Sequence, residues 1–232
     1  MNDAELEKLT GEVMRGMTQN EQNTKAERFR ILNPMTKKGE ILFTGSSLME
    51  QFPIQELLVD LGSDLVIYNR GIGGFTSDDM LEHMEEQVFG TEPSVIFINI
   101  GTNDLGDNSQ PFEVQLEKML ANYEQILMQI KERLPETKVY MMAYYPVNET
   151  DKVPEGWGAD LFVNRNNRNL PVANAAVKAL AEKMGNEYID VNEGLTDERG
   201  MLKAEYTIEG VHMYANGYRV VLENLRKYLP LS

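Results

Sequence analysis

Five short apolar runs, each continuous rather than alternating, set the strongest limit on what this chain can fold into. They are Ile41-Leu42-Phe43-Thr44-Gly45, Leu65-Val66-Ile67-Tyr68, Val95-Ile96-Phe97-Ile98-Asn99-Ile100, Val139-Tyr140-Met141-Met142-Ala143 and Tyr188-Ile189-Asp190-Val191. A strand covered on one face alternates apolar and polar residues, whereas a strand covered on both faces is apolar throughout. Helical patterns lie between the runs. The clearest places Leu116, Met119, Leu120, Tyr123, Ile126, Leu127, Ile130 and Leu134 at i, i+3, i+4 spacing and stops at Pro135. A second carries Val172, Ala176, Leu180 and Met184 and stops at Gly185, and a third runs from about Ala215 to Tyr228. Doubly covered strands alternating with helices predict an α/β fold: a three-layer α/β/α sandwich, doubly wound, with about five parallel strands.

No linker, repeat or low-complexity tract divides the chain. Residues 1–37 read as an N-terminal helical extension of one or two helices packed on the core, with Pro34 ending helical continuity. Residues 38–232 read as one domain, a size that supports a sizeable core. The longest irregular stretch, 146–163, holds the single tryptophan, Trp157, and a loop of that length is often functional.

Composition narrows the function classes. Lys plus Arg is 22 against 37 for Asp plus Glu, a net charge of −15, which opposes nucleic acid and anionic membranes and weakly disfavours highly anionic substrates, although a local pocket can override a global field. The chain has no cysteine, so disulfides, thiolate catalysis and thiolate metal sites are excluded. The opening MNDAELEKLTGE has no apolar core of a signal peptide, and no run approaches a membrane span, so the expected location is cytoplasmic. There are two histidines, His83 and His212, which leaves two candidates for any imidazole chemistry. His83 sits in the helical pattern SDDMLEHMEEQ and reads as a surface helix residue.

In open parallel sheets, ligands bind beyond the carboxyl ends of the strands. Four polar or glycine-rich segments follow strands or lie near the chain end: Gly45-Ser46-Ser47-Leu48, Asn69-Arg70-Gly71-Ile72-Gly73-Gly74, Gly101-Thr102-Asn103-Asp104 and Glu209-Gly210-Val211-His212. They supply compatible chemistry. A serine hydroxyl needs an adjacent base, and His212 is the one plausible candidate. A backbone N–H after a glycine and an asparagine amide can donate to a developing oxyanion. A carboxylate holds the imidazole tautomer, and Glu209, three residues before His212, can share its turn.

The four segments, FTGSSLME, NRGIGG, IGTNDL and IEGVHMYANGY, in that order and spacing, resemble the SGNH hydrolases, also called GDSL-like lipases and acylhydrolases. The NRGIGG segment and the layout are similar to the branch containing the catalytic subunits of intracellular platelet-activating-factor acetylhydrolase. The resemblance covers roughly residues 40–225 and implies a flavodoxin-like SGNH hydrolase fold. It implies Ser47 as nucleophile, His212 as general base and then acid, and Gly74 and Asn103 as oxyanion donors, joined by the Ser47 N–H. It implies no metal and no organic cofactor.

Two positions depart from the family pattern. Ser46 stands where an Asp precedes the nucleophile, and Glu209 stands where the triad has Asp. Glutamate fills that role in other hydrolases. The alternatives are that Glu209 faces solvent with His212 held by a backbone carbonyl, or that Asp190 orients His212. Ser46 is the rival hydroxyl, and Asp104 reads as a tie between loops. Tyr145 and Trp157 are candidate pocket residues, with Tyr144 and Phe162 beside them. The expected activity is hydrolysis of carboxylic esters, short acyl groups first, through an acyl-enzyme. Lysophospholipase or thioesterase activity on longer chains and a non-catalytic binding module are the alternatives, and the GIGG glycines alone support a nucleotide binder without the phosphate fingerprint. The expected partner is a small-molecule ester, with no nucleic acid and no integral membrane association; a homodimer is an open option.

Overall fold

The computed structural model describes residues 2–156 and 158–231. Five parallel strands form one sheet: β1 (Ile41–Gly45), β2 (Ile67–Gly71), β3 (Val95–Asn99), β4 (Lys138–Met142) and β5 (Glu187–Ile189), in the order β2-β1-β3-β4-β5. The helices are α1 (Asp3–Leu32), α2 (Ser47–Glu50), α3 (Ile54–Asp60), α4 (Ser77–Glu82), α5 (Met84–Gln87), α6 (Thr102–Gly106), α7 (Phe112–Arg133), α8 (Gly158–Leu161), α9 (Leu170–Met184) and α10 (Ala215–Leu225). None of the described helices is long and apolar enough to cross a membrane.

The continuous apolar runs have the expected cause. Successive side chains of a strand point to opposite faces. Leu42, Ile96, Ile98, Val139 and Met141 join one core with Met80 of α4, Met84 of α5, Met119 and Tyr123 of α7 and Val177 of α9. Ile41, Phe43, Phe97, Tyr140 and Met142 join a second core on the other face, with Leu58 of α3 and Val221 and Leu225 of α10. The register aligns Phe43 with Phe97 and Phe97 with Tyr140 across the three central strands. Their rings meet at 5.1 Å and 4.7 Å between centroids.

Residues before the sheet form a single long helix, and Pro34 lies in the 3-10 turn Asn33–Met35 that follows it. The C-terminal part of α1 docks on the sheet side through Ala26, with Phe29 packed against the same core. The second strand begins later than its apolar run suggests: Leu65 and Val66 precede it, and Asn69 and Arg70 lie inside it. Arg70 is buried under the end of α1, the turn that follows it and the neighbouring Tyr68. Its Nε donates to Asn33 Oδ1 at 2.8 Å, and its guanidinium lies 4.8 Å from the Phe29 ring and 5.5 Å from the Tyr68 ring. The SDDMLEHMEEQ pattern is broken rather than one helix. The backbone turns at His83 between α4 and α5, and Nδ1 of that ring pairs with the Asp79 carbonyl at 2.9 Å.

Two crossings bring the ends of β1 and β3 to one edge. Gly45 makes this possible, since its φ is +145° and a Cβ there would lie 1.9 Å from the Asn99 carbonyl oxygen. No side chain fits at that position, so β1 and β3 deliver Ser47 and Asn103 to the same rim.

Candidate active site

Ser47 is the first residue of α2, immediately beyond β1. Its neighbour Ser46 is fully buried, with an Oγ that has no hydrogen-bond partner, so the two hydroxyls differ in environment as well as in position. Ser47 Oγ lies 2.7 Å from His212 Nε2, and His212 Nδ1 lies 2.6 Å from Glu209 Oε1.

The segment 206–214 folds back on itself to make this pairing local. Thr207 and Met213 form an antiparallel bridge, and the Ile208 N–H donates to the His212 carbonyl at 2.8 Å. Gly210 has φ +104°, and its carbonyl accepts from the Asn148 N–H at 2.8 Å, anchoring the turn to the chain beyond β4. Within it Glu209 Oε1 accepts both from the His212 backbone N–H, at 3.1 Å, and from its ring. Burial would push the Glu209 carboxyl up, but hydrogen bonds from the His212 ring and from the backbone N–H groups of His212 and Val211, with the ring's charge, hold it below its ordinary value. Glu209 is thus turned onto His212 rather than to solvent. Asp190 is exposed and accepts from the Asn192 N–H at 3.0 Å instead.

Gly74 follows β2 with φ +79°, in the loop pressed against the serine: a Cβ on its neighbour Gly73 would lie 3.8 Å from the Ser47 Cβ. Three side chains fix this loop. Glu50 Oε2 accepts the Gly73 N–H at 2.7 Å, Gln22 Nε2 donates to the Gly73 carbonyl at 3.0 Å, and Lys25 pairs with Glu50 at 2.8 Å. Asn103, in the first turn of α6, donates one amide hydrogen to the Phe75 carbonyl at 2.9 Å, which leaves its second available. Asp104 beside it is buried and accepts from Ser77, at 2.9 Å from the backbone N–H, tying α6 to α4. Burial raises its carboxyl above the ordinary value against the pull of those bonds.

Beside His212 opens a cavity of about 450 Å³, lined by Gln51, Pro154, Leu161, Arg165, Ile208, Glu209 and His212. The irregular segment 146–163 therefore contributes Pro154 and Leu161 to the wall. Of the expected pocket residues, Tyr145 is not on it: the ring is 2% exposed and packs in the α10-side core with Met213 and Tyr218. Tyr144 is likewise buried, with its hydroxyl on the Ile100 carbonyl at 2.8 Å, and Phe162 belongs to the other core. Trp157 lies outside the described residues. Gln22, Glu50 and Arg165 went unremarked in the sequence; the run NRNNRN at 164–169, unusual in its amides and charge, was the one visible signal for Arg165. Among the described residues no group of three or more His, Cys, Asp or Glu side chains could hold a metal ion.

A hydroxyl, an imidazole and a carboxylate in one hydrogen-bonded line can pass a proton from oxygen to ring nitrogen while the acid holds the tautomer. Residues 50–220 match the GDSL-like lipase/acylhydrolase family, a span that holds Gly74, Asn103, Glu209 and His212 and begins just past Ser47. The chain belongs to that family. Its class is accordingly that of carboxylic ester hydrolases. A solved structure from Streptococcus pneumonia, described as a platelet activating factor, matches with a TM-score of 0.83 and 31% identity over 95% of this chain and 98% of that one. The alpha2 subunit of platelet-activating factor acetylhydrolase IB from Rattus norvegicus is 22% identical over 201 residues, 86% of this chain and 80% of that protein. The acetyl xylan esterase AlAXEase shares the fold, with a TM-score of 0.64 and 17% identity over 82% of this chain and 99% of that one.

Proposed function

We propose that this hydrolase is a serine esterase that cleaves short-acyl carboxylic esters through an acyl-enzyme on Ser47. The observation that carries the reading is the continuous line from Ser47 Oγ through His212 to Glu209, at 2.7 Å and 2.6 Å. His212 Nε2 takes the hydroxyl proton as Ser47 Oγ attacks the ester carbonyl. The backbone N–H of Gly74, the free amide hydrogen of Asn103 and the Ser47 N–H receive the oxyanion. His212 then returns the proton to the leaving alcohol, and a water, activated by the same ring, hydrolyses the acyl-enzyme. Glu209 keeps the imidazole in the tautomer that leaves Nε2 free to accept.

Short acyl groups are supported by relatives named for acetyl hydrolysis, the platelet-activating factor acetylhydrolase and the acetyl xylan esterase. A second reading, activity on longer acyl chains of the lysophospholipase or thioesterase kind, is favoured by the apolar wall that Pro154, Leu161 and Ile208 give the cavity. A fluorophosphonate probe labels Ser47 in the wild type and not in Ser47→Ala, and Ser47→Ala abolishes turnover of p-nitrophenyl acetate while melting as the wild type does. Failure to label wild type under conditions that label a control esterase overturns the mechanism. Kinetics over p-nitrophenyl esters of increasing length separate the two readings, and an optimum at long chains selects the second.

A further inference from the structure

The loop 162–169 holds a cation that its own hydrogen bonding does not use. Asn164 Nδ2 donates to the Asp107 and Gln110 carbonyls at 3.1 and 3.0 Å. Asn166 Nδ2 donates to the Phe162 and Val163 carbonyls at 3.1 and 2.9 Å, and Asn167 Nδ2 to the Val147 carbonyl at 2.7 Å. Arg165 donates nothing to this frame. Its side chain is buried, at 9% exposure, and Nε has no acceptor. Nη1 reaches Asn103 Oδ1 at 3.5 Å, the outer limit of a hydrogen bond, and no carboxylate lies within ion-pair distance among the described residues. Glu209 is the acid whose field reaches it, but Oε1 of that carboxylate is engaged by His212. A guanidinium cannot shed its charge, and a buried charge without a hydrogen-bonded partner is costly.

Arg165 nevertheless forms part of the wall of the cavity beside His212. We propose that Arg165 recognises an anionic group on the substrate, so that the preferred ester carries a carboxylate on the portion seated in that cavity. The proposal rests on the esterase reading above. The planar fork of a guanidinium matches the two oxygens of a carboxylate. An acidic chain of net charge −15 repels such substrates at long range, so their selection has to be made by a local, dehydrated cation.

Two matched ester pairs test this. In 4-acetoxybenzoate, paired with its neutral methyl ester, the carboxylate is on the alcohol side; in p-nitrophenyl hemisuccinate, paired with neutral p-nitrophenyl butyrate, it is on the acyl side. The quantity read is the ratio of kcat/KM for anionic over neutral ester. In one pair the wild-type ratio exceeds one, and Arg165→Gln lowers it by about tenfold or more, as loss of a hydrogen bond to a charged group does. Arg165→Lys keeps part of the preference. A ratio unchanged in Arg165→Gln, with both esters falling together, assigns Arg165 to supporting Asn103 and overturns the proposal. So does a wild-type ratio below one in both pairs. Calorimetric binding of benzoate and succinate to Ser47→Ala is the second measurement and does not depend on Arg165→Gln folding. No saturable binding of either up to about 50 mM overturns the proposal. If wild type hydrolyses none of the four esters, the esterase reading fails, while loss of benzoate or succinate binding from Ser47→Ala to Ser47→Ala/Arg165→Gln still decides the role of Arg165.

Discussion

Glu209 and Asp104 are acids a few residues from catalytic candidates, and their surroundings push them in opposite directions. Asp104 is raised by burial, whereas Glu209 is lowered because His212 and two backbone N–H groups outweigh its burial. The sign for stability follows. A carboxyl lowered in the folded state contributes stability above its ordinary value of 4.5, lost as pH falls through the folded value. The difference in melting temperature between wild type and Glu209→Gln is therefore largest near neutrality and closes in acid; a difference that widens as pH falls contradicts the pairing. On activity, Glu209→Gln costs about 10⁴-fold in kcat and His212→Ala about 10⁶-fold, following the orienter-versus-base ranking of serine hydrolases. Asn103→Ala lowers kcat about 10²- to 10³-fold with little change in KM, as loss of one oxyanion donor does. Ser47, Asn103 and His212 were legible in the sequence because each follows or closes a segment whose chemistry is visible residue by residue. Arg165 was not, because its significance is its burial, and burial is created by asparagines that hold a loop with no periodicity.

At the scale of elements, the helix α1 is more than a cover for the sheet. Gln22 touches the carbonyl of Gly73, and Lys25 supports Glu50, which holds the Gly73 N–H. These contacts set the loop that carries Gly74, the proposed oxyanion donor. Gln22→Ala lowers kcat about three- to tenfold, the effect of one hydrogen bond of about 0.5–1.5 kcal/mol. KM and the melting temperature change little, because Gln22 lies at the edge of the packed region. Steady-state kinetics and a thermal melt check this together, and an unchanged kcat removes α1 from the oxyanion loop. The same helix explains why β2 runs past its apolar stretch. The run Leu65-Val66-Ile67-Tyr68 looks like a strand from its apolar residues, yet β2 reaches to Gly71 because Phe29 of α1 and Asn33 just after it cover Arg70. Local hydropathy cannot report a partner more than thirty residues away.

For the molecule as a whole, the alternation of strand and helix was legible because doubly buried strands have no polar face to confuse the pattern. The two cores meet the sheet from opposite sides, and Phe97 stands at the centre of one, between Phe43 and Tyr140. Phe97→Ala lowers the unfolding free energy by about 3–5 kcal/mol through lost burial and a cavity that the central strand cannot close. Chemical denaturation measures it, and a loss under about 1 kcal/mol would mean that the sheet repacks.

The asparagine frame around residue 165 has a consequence for how this enzyme could change. The braces run from Asn164, Asn166 and Asn167 to main-chain carbonyls, so they hold their shape whatever side chain stands between them. Position 165 is a socket in a fixed mount. If Arg165 reads the substrate as proposed, a lineage, or an engineer, can exchange the residue seated there and redirect the enzyme to another kind of ester without rebuilding the loop or the sheet.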